Sequence, residues 1–450
     1  MPIERAIIAA TLKTPRGERA YKVVETLVDT GHEGWWVGGA VRDMLQGKIP
    51  KDIDVATSAS PAEMQALFKR STEEGIAMGS IKILLGTDAI EVTSFREDDE
   101  ASDGRHPESV VFTQEKAKDA KRRDFTVNAI YFNPVTYDMF DPFGGEADVK
   151  EKLVEFIGEP AVRIKHDALR ILRAVRLRAA LNGQYHPETY VALREQAQLC
   201  EILSGQRIAA ELEKLLLAAN PDRAFEDLWE LGILSRILPE MHACKGIPQP
   251  AEYHHEGDVW DHTMQLLRSF SDDDGIDVRI AGLFHDCGKA QTFSQKERIR
   301  FDHHATVSAD LASVALKRLQ FSKARAEKID WLIRHHMSMT FLDMPEERKG
   351  HWYFHPWFPE LLQIFRLDIA GTTPSDYTLY EAIVADFHRF LDANPRPQKP
   401  ILSGHDVMEI LGMKPGPDVG KIAQALYEAQ KKGTVTSKAE AKEFLKTFKI

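Results

Sequence analysis

A glycine pair followed by two closely spaced carboxylates constrains this chain more than any other feature. Gly38-Gly39-Ala40-Val41-Arg42-Asp43 follows the apolar run Trp35-Trp36-Val37, and Lys51-Asp52-Ile53-Asp54 comes shortly after. Glycines let a backbone approach phosphate oxygens, and the amides at a helix start favour anions. Asp52 and Asp54 are two apart, so on a strand both carboxylates would leave the same face. Hard divalent cations such as Mg²⁺ take oxygen pairs of this kind and complete their shell with a substrate phosphate. A phosphate cradle beside a carboxylate pair points to nucleotidyl transfer.

The surrounding sequence supports a small mixed α/β unit. An opening helix is expected over residues 1–30. Short β-type runs follow at Ile81 to Leu85, Ile90 to Phe95 and Asn128 to Phe132, alternating with helical segments. Residues 97–109 read as a polar, turn-rich loop. From about residue 151 the apolar spacing turns helical, as in Leu169, Leu172, Val175 and Ala179 and again over residues 206–216. The expected divisions are therefore a catalytic domain at 1–150, a helical neck at 151–244, a histidine-rich helical domain at 245–395 and a helical tail at 396–450. The fold class is α+β, with the strands confined to the first domain.

Several side chains join the glycines and the carboxylates as candidates. Arg123 could clamp phosphates, bidentately where geometry allows. Asp124 could accept from a ribose hydroxyl, and Glu91 is a candidate third acid. Arg163, Lys165, Arg170, Arg173, Arg176 and Arg178 stand against a single acid, Asp167, within a chain of net charge −11. That local reversal of sign suits a polyanion, although the average charge argues against indiscriminate nucleic-acid binding.

Five motifs together resemble the class II tRNA nucleotidyltransferase/poly(A) polymerase family. They are Gly38 to Asp43, Lys51-Asp-Ile-Asp-Val-Ala-Thr57, Arg122-Arg-Asp-Phe-Thr-Val-Asn-Ala-Ile130, Asp141-Pro-Phe-Gly-Gly145, and Asp167-Ala-Leu-Arg-Ile-Leu-Arg-Ala-Val-Arg176. The resemblance implies a polymerase-β-like palm, an adjoining all-α neck, and template-independent addition of C and A to tRNA 3′ ends from CTP and ATP. It implies Mg²⁺ on Asp52 and Asp54. It also implies nucleotide binding by Gly38, Gly39, Arg42, Arg123, Asp124, Asp167, Arg170, Arg173 and Arg176.

The base choice has a chemical reason. Cytosine and adenine each present an amine donor beside an acceptor ring nitrogen. Guanine and uracil present a carbonyl beside an N–H. An ionised Asp only accepts and an Arg only donates, so Asp167 and Arg170, three apart on an expected helix, would match C and A and mispair with G and U. The family's usual Glu-Asp at this point is His166-Asp167 here. Asp103 to Val110 resembles the loop that accompanies A addition, and Gly75 to Ile81 is nearer the CCA-adding than the poly(A) pattern. Full CCA addition is the leading expectation; poly(A) synthesis and partial addition of CC or A are the alternatives.

The histidine-rich region carries a second resemblance. His262, His285-Asp286, His304, His336 and Asp368 resemble the HD phosphohydrolase superfamily, with residues 401–417 resembling the tail of HD-bearing CCA-adding enzymes. Neutral imidazoles and carboxylates suit a transition metal such as Ni²⁺ or Mn²⁺, which could activate water against a phosphoester. His303 and His335 compete with His304 and His336 as ligands. A protein of a different class, an HD phosphohydrolase with an RNA-binding N-terminal module, would also carry these residues.

Bulk properties fit a cytoplasmic enzyme. No apolar run is long enough to span a bilayer, and the N-terminus lacks a signal-peptide layout. Three separated cysteines form no disulfide framework. Nothing calls for an obligatory protein partner.

Overall fold

The computed structural model describes all residues except 1–2, 73–74, 87, 98–110, 296, 395–399, 432–433, 436 and 449–450. The loop expectation at Asp103 to Val110 therefore lies outside the described residues. Contacts divide the chain into two compact units, residues 1–338 with 359–377, and residues 339–358 with 378–450.

The first unit opens with two helices rather than one, α1 (Arg5–Leu12) and α2 (Pro15–Asp29). The break has a local cause. Thr14 caps α2 by accepting from the Gly17 amide, and Pro15 occupies the first helical position, where its missing N–H costs nothing. Ala20, Val23, Val24 and Leu27 form the buried stripe of α2.

Strand β1 (Gly34–Val37) runs into helix α3 (Gly39–Leu45) through Gly38. Gly38 has φ +67° and ψ −130°, a conformation essentially restricted to glycine. Next come β2 (Asp54–Thr57), α4 (Pro61–Leu67), β3 (Ser80–Leu85) and β4 (Asp88–Ser94). The short pair β5 (Arg96–Glu97) and β6 (Val111–Phe112), helix α5 (Lys116–Arg122), and strands β7 (Tyr131–Phe132) and β8 (Met139–Phe140) complete the head. The sheet order is β3-β4-β2-β1-β7-β8, with β2 and β4 parallel and the other pairs antiparallel. The expected strand from Asn128 shrinks to Tyr131–Phe132, because Thr126–Asn128 closes a 3₁₀ turn first.

Beyond the sheet the first unit is largely helical: α6 (Gly145–Glu151), α7 (Pro160–His166), α8 (Leu169–Leu181), α9 (Pro187–Glu195) and α10 (Gly205–Leu216). Helices at Val259–Arg268, Ile276–Phe284, His304–Arg318, Lys323–His335 and Phe358–Gly371 carry the histidine region. Strands are not confined to the first domain as expected: Leu153–Val154 pairs in parallel with Gln184–Tyr185 in the neck, and a hairpin, Phe293–Gln295 with Ile299–Phe301, interrupts the histidine region. No helix among the described residues is long and apolar enough to cross a membrane.

The second unit has an aromatic core of Phe341, Tyr353, Phe358, Phe387 and Phe390. Its helices at Gly404–Leu411, Pro417–Lys431 and Lys438–Lys446 pack around Val407, Leu426 and Leu445.

Candidate active site and metal cluster

The head, Asp167 and helix α8 enclose a polar cleft of about 610 Å³. Gly38, Gly39, Arg42, Asp54, Glu91, Arg123, Asp124, Asp167, Arg170, Arg173 and Arg176 all line it. With Arg96 and Arg122, the lining holds seven arginines against four carboxylates, so the cleft is locally basic in an acidic chain. Such a surface attracts phosphates.

Asp54 opens β2 and faces the cleft. It is reachable by solvent yet closely surrounded by protein. That desolvation, with the like charges of Asp52 and Glu91, pushes its carboxyl up to about 6, against the opposing pull of Arg123 and Arg16. A cation beside these oxygens would relieve the repulsion, so the donor set fits a hard divalent metal.

Asp52 is placed differently from expectation. It lies before β2, whose register with β1 ends at Val37 opposite Asp54, so Asp52 stands outside the strand while its charge still acts on Asp54. The Asp52 carboxylate accepts from the Ile53 amide and pairs with Arg16 of α2 at 2.5 Å. Arg16 was not legible as part of the site, because it reaches Asp52 only once α2 has packed.

The arginines are held by partners the sequence did not reveal. Arg123 donates to the Tyr131 hydroxyl (2.8 Å) and pairs with fully buried Asp119 (3.2 Å), which also accepts from Tyr131 (2.5 Å). Arg42 donates to Asn128 (2.9 Å). Asp124 is buried, accepts from the Phe125 amide, and pairs with Arg173 at 2.6 Å. Burial opposes its charge, but Arg173 and Asn128 keep the carboxyl below its usual range. Arg176 pairs with buried Glu211 of α10 at 2.8 Å.

Asp167 and Arg170 do not share one helix. The chain breaks at Asp167, extended at φ −153°, between α7 and α8. The break is chemical: the Asp167 side chain accepts from the Leu169 amide (3.1 Å), the local bond by which Asp competes with helix continuation. Arg170 donates to the Arg163 carbonyl at the end of α7 (2.8 Å). Both still line the cleft. Arg207 of α10 binds both Asp167 oxygens, at 2.8 and 3.0 Å, and was missed because only folding brings α10 there. His166 is exposed.

A second centre lies in the histidine region. His262, His285, Asp286 and Asp368 place one ligand atom each within 4.8 Å of one another, as do Asp286, His304 and His336. Asp286 belongs to both groups. Nδ1 of His285, His304 and His336 lies 2.7–3.0 Å from the carbonyls of Gly282, Phe301 and Ile333, and Nδ1 of His262 faces Glu256 at 3.3 Å. Donation from Nδ1 would turn each Nε2 lone pair toward the common centre, the usual support for a metal-binding histidine. Nε2 of His304 and of His336 is buried and takes no hydrogen bond among the described residues.

Electrostatics sharpen this arrangement. Burial opposes charge on Asp286, but His285 and Lys289 hold it well below the usual carboxylate range. Burial, with His285 nearby, lowers His336 to about 4, leaving it neutral. Burial also works against charge on His285, yet Asp286 and Asp368 push it up to about 10. Two fixed carboxylates among imidazoles fit a divalent transition metal. His303 is exposed and His335 packs on Trp331, outside both groups. Glu256 and Lys289, which pairs with Asp286 at 2.7 Å, carry no spacing signal that would have marked them.

A mixed sheet whose Gly-Gly turn and acidic strand ends meet an arginine-rich helical wall defines a polymerase-β-like nucleotidyltransferase head, joined here to an HD-type helical domain. Comparisons agree. Residues 34–155 match the poly A polymerase head domain, 184–245 match "Probable RNA and SrmB- binding site of polymerase A", and 253–386 match the HD domain. A CC-adding tRNA nucleotidyltransferase of Thermus thermophilus is 31% identical over 436 residues, covering 92% of this chain and 94% of that one. The chain belongs to the tRNA nucleotidyltransferase/poly(A) polymerase family. A CCA-adding enzyme of Anoxybacillus flavithermus is 40% identical over 227 residues, and the match spans 50% of this chain and only 57% of that relative. In fold, the chain is similar to the Bacillus stearothermophilus CCA-adding enzyme in complex with CTP, with TM-score 0.61, 24% identity, and coverage of 96% and 98% of the two chains.

Proposed function

We propose that this chain adds C, C and A to tRNA 3′ ends, using CTP, ATP and Mg²⁺. The observation that carries the reading is one cleft holding both an acceptor–donor pair for the base, Asp167 and Arg170, and the acids Asp54 and Glu91 for the chemistry. The 3′-hydroxyl of the RNA attacks the α-phosphate in line, and pyrophosphate leaves. Asp54 and Glu91, with Asp52 nearby, would hold Mg²⁺, which when bound supplies activation of the hydroxyl and neutralisation of the departing pyrophosphate. Gly38 and Gly39 give the triphosphate close access to the backbone, and Arg123 and Arg173 offer it charge-assisted hydrogen bonds.

One observation favours a second reading. The relative matched along nearly its whole length is named as CC-adding. The decisive experiment offers purified protein a tRNA lacking its 3′ end, with each labelled NTP and Mg²⁺. Stepwise C, C and A supports the proposal. Arrest at CC even with ATP supports the second reading, and long A tails support poly(A) synthesis. No incorporation at all refutes all three.

The buried cluster around Asp286 supports a metal-dependent phosphohydrolase activity alongside transfer, with Ni²⁺ or Mn²⁺ as the fitting ions. Release of phosphate from a phosphomonoester or phosphodiester, dependent on added Ni²⁺ or Mn²⁺ and lost in D286N, tests it.

A further inference from the structure

Asp167 is more constrained than a cleft-lining carboxylate needs to be. A carboxylate has about four lone-pair positions. Oδ1 accepts from the Leu169 amide at 3.1 Å and from Arg207 Nη2 at 2.8 Å. Oδ2 accepts from the same Arg207 nitrogen at 3.0 Å. Oδ2 thus carries fewer of these bonds than Oδ1, and it is the oxygen a base would meet. Arg207 itself is well anchored. It lies in the first turn of α10, where the Ser204 side chain accepts from its amide, and Glu211, one turn further on, grips Arg176 of the same cleft. α10 thus braces the base-reading wall at two points.

We propose that Arg207 determines specificity by locking Asp167 in one register against the base, so that the Asp167–Arg170 pair reads an amine beside a ring acceptor and nothing displaced from it. This rests on the nucleotidyl-transfer reading above. From the amine side, the cytosine edge reads donor, acceptor, acceptor, and the adenine edge reads donor, acceptor. Uracil reads acceptor, donor, acceptor. Its N3–H and O2 therefore offer the same donor–acceptor sequence as cytosine, displaced by one ring position. Guanine reads acceptor, donor, donor along that edge; its only donor–acceptor neighbours, the N2 amine and N3, lie round the corner beside the glycosidic nitrogen, where the sugar keeps them from the Asp167–Arg170 pair. A fixed Asp167 rejects uracil, because a carbonyl meets the carboxylate and an N–H meets the guanidinium. An Asp167 free to rotate can slide one position and accept it. Arg207 is a positioning residue: it acts through Asp167 and does not itself read the base.

The test is single-nucleotide incorporation of CTP, UTP and GTP by wild type, R207A and R207K on a tRNA lacking its 3′ end. The expected result is a UTP/CTP ratio of kcat/KM raised about tenfold in R207A, the scale of one charge-assisted hydrogen bond, with R207K intermediate and the GTP/CTP ratio unchanged. The Arg207 side chain is 43% exposed, so removing it spares the core. R207Q, which keeps more of the side chain's length, decides alone if R207A melts early. An unchanged UTP/CTP ratio overturns the proposal, as does a joint rise of UTP and GTP or an equal fall of C and U uptake. A wild-type protein that incorporates no C overturns the transfer reading, and this proposal with it.

Discussion

Asp54 on β2 stands beside Glu91 on β4, because the two strands run parallel with Val55 opposite Val92. The pair, more than Asp52 with Asp54, is what the sheet itself presents to the cleft. D54A should abolish C incorporation, by at least roughly a thousandfold, since the carboxylates position charge stabilisation of several kcal/mol. The fold should survive, because Asp54 sits at a strand end. E91Q should be milder and should raise the Mg²⁺ concentration needed for half-maximal rate. Full incorporation by folded D54A would refute the assignment.

Arg170 should matter for choice more than for fold. On the proposed reading, R170A removes the donor that would meet the ring nitrogen, leaving Asp167 to read the amine alone. Discrimination of CTP against UTP and GTP should fall by about ten- to a hundredfold, corresponding to about 1–3 kcal/mol of mispairing lost. Competition between labelled NTPs measures this directly. Its pattern differs from R207A, where only uracil gains.

Asp286 is the one carboxylate common to both ligand groups of the histidine region. D286N should strip bound transition metal, read as metal per chain by elemental analysis after loading with Ni²⁺ or Mn²⁺. Incorporation of C should remain near wild type, because Asp286 is not among the residues of the transfer cleft. Metal retained at wild-type stoichiometry in D286N would remove Asp286 from the ligand set.

The second unit should show an acid-sensitive lock. Asp386 accepts from Lys349 (2.8 Å), Tyr353 (2.7 Å) and Arg389 (3.2 Å). Burial works against its charge, but these donors outweigh it and hold the carboxyl at about 2, below its ordinary 3.8. A depressed folded-state pKa contributes stability that is complete above the unfolded value and drains away as pH falls through the folded one. Thermal stability of this unit should therefore decline between about pH 4 and pH 2. D386N should lower stability at neutral pH by about 1.5–3 kcal/mol and flatten that decline, as followed by calorimetry across pH.

The local elements were legible because their causes are local. Thr14-Pro15 starts a second helix within residues 1–30 by capping and by a tolerated proline, both local signals. Gly38 permits a backbone turn that other residues resist, and the amphipathic spacing of α2, α8 and α10 buries one face of each. The residues that line the cleft were legible as a group, since their arginines and carboxylates are the types that the proposed roles on phosphate, metal and base require. The histidine cluster was visible as composition, but the choice of His304 over His303 and of His336 over His335 depends on which ring turns inward.

By itself, the sequence determined the chemical vocabulary of this protein, its helical and strand segments, and its family. Tertiary structure decided which groups meet. Arg16 reaches Asp52, Asp119 holds Arg123, Glu256 faces His262, and Arg207 grips Asp167 only after separate elements have packed. The physical reason is that hydrogen bonds and ion pairs act over a few ångströms of space, whatever the separation along the chain. Register and helix packing set those distances. They left Asp52 outside the strand and set Asp167 at a helix break, where its side chain accepts from the first amide of α8 and binds Arg207 of α10.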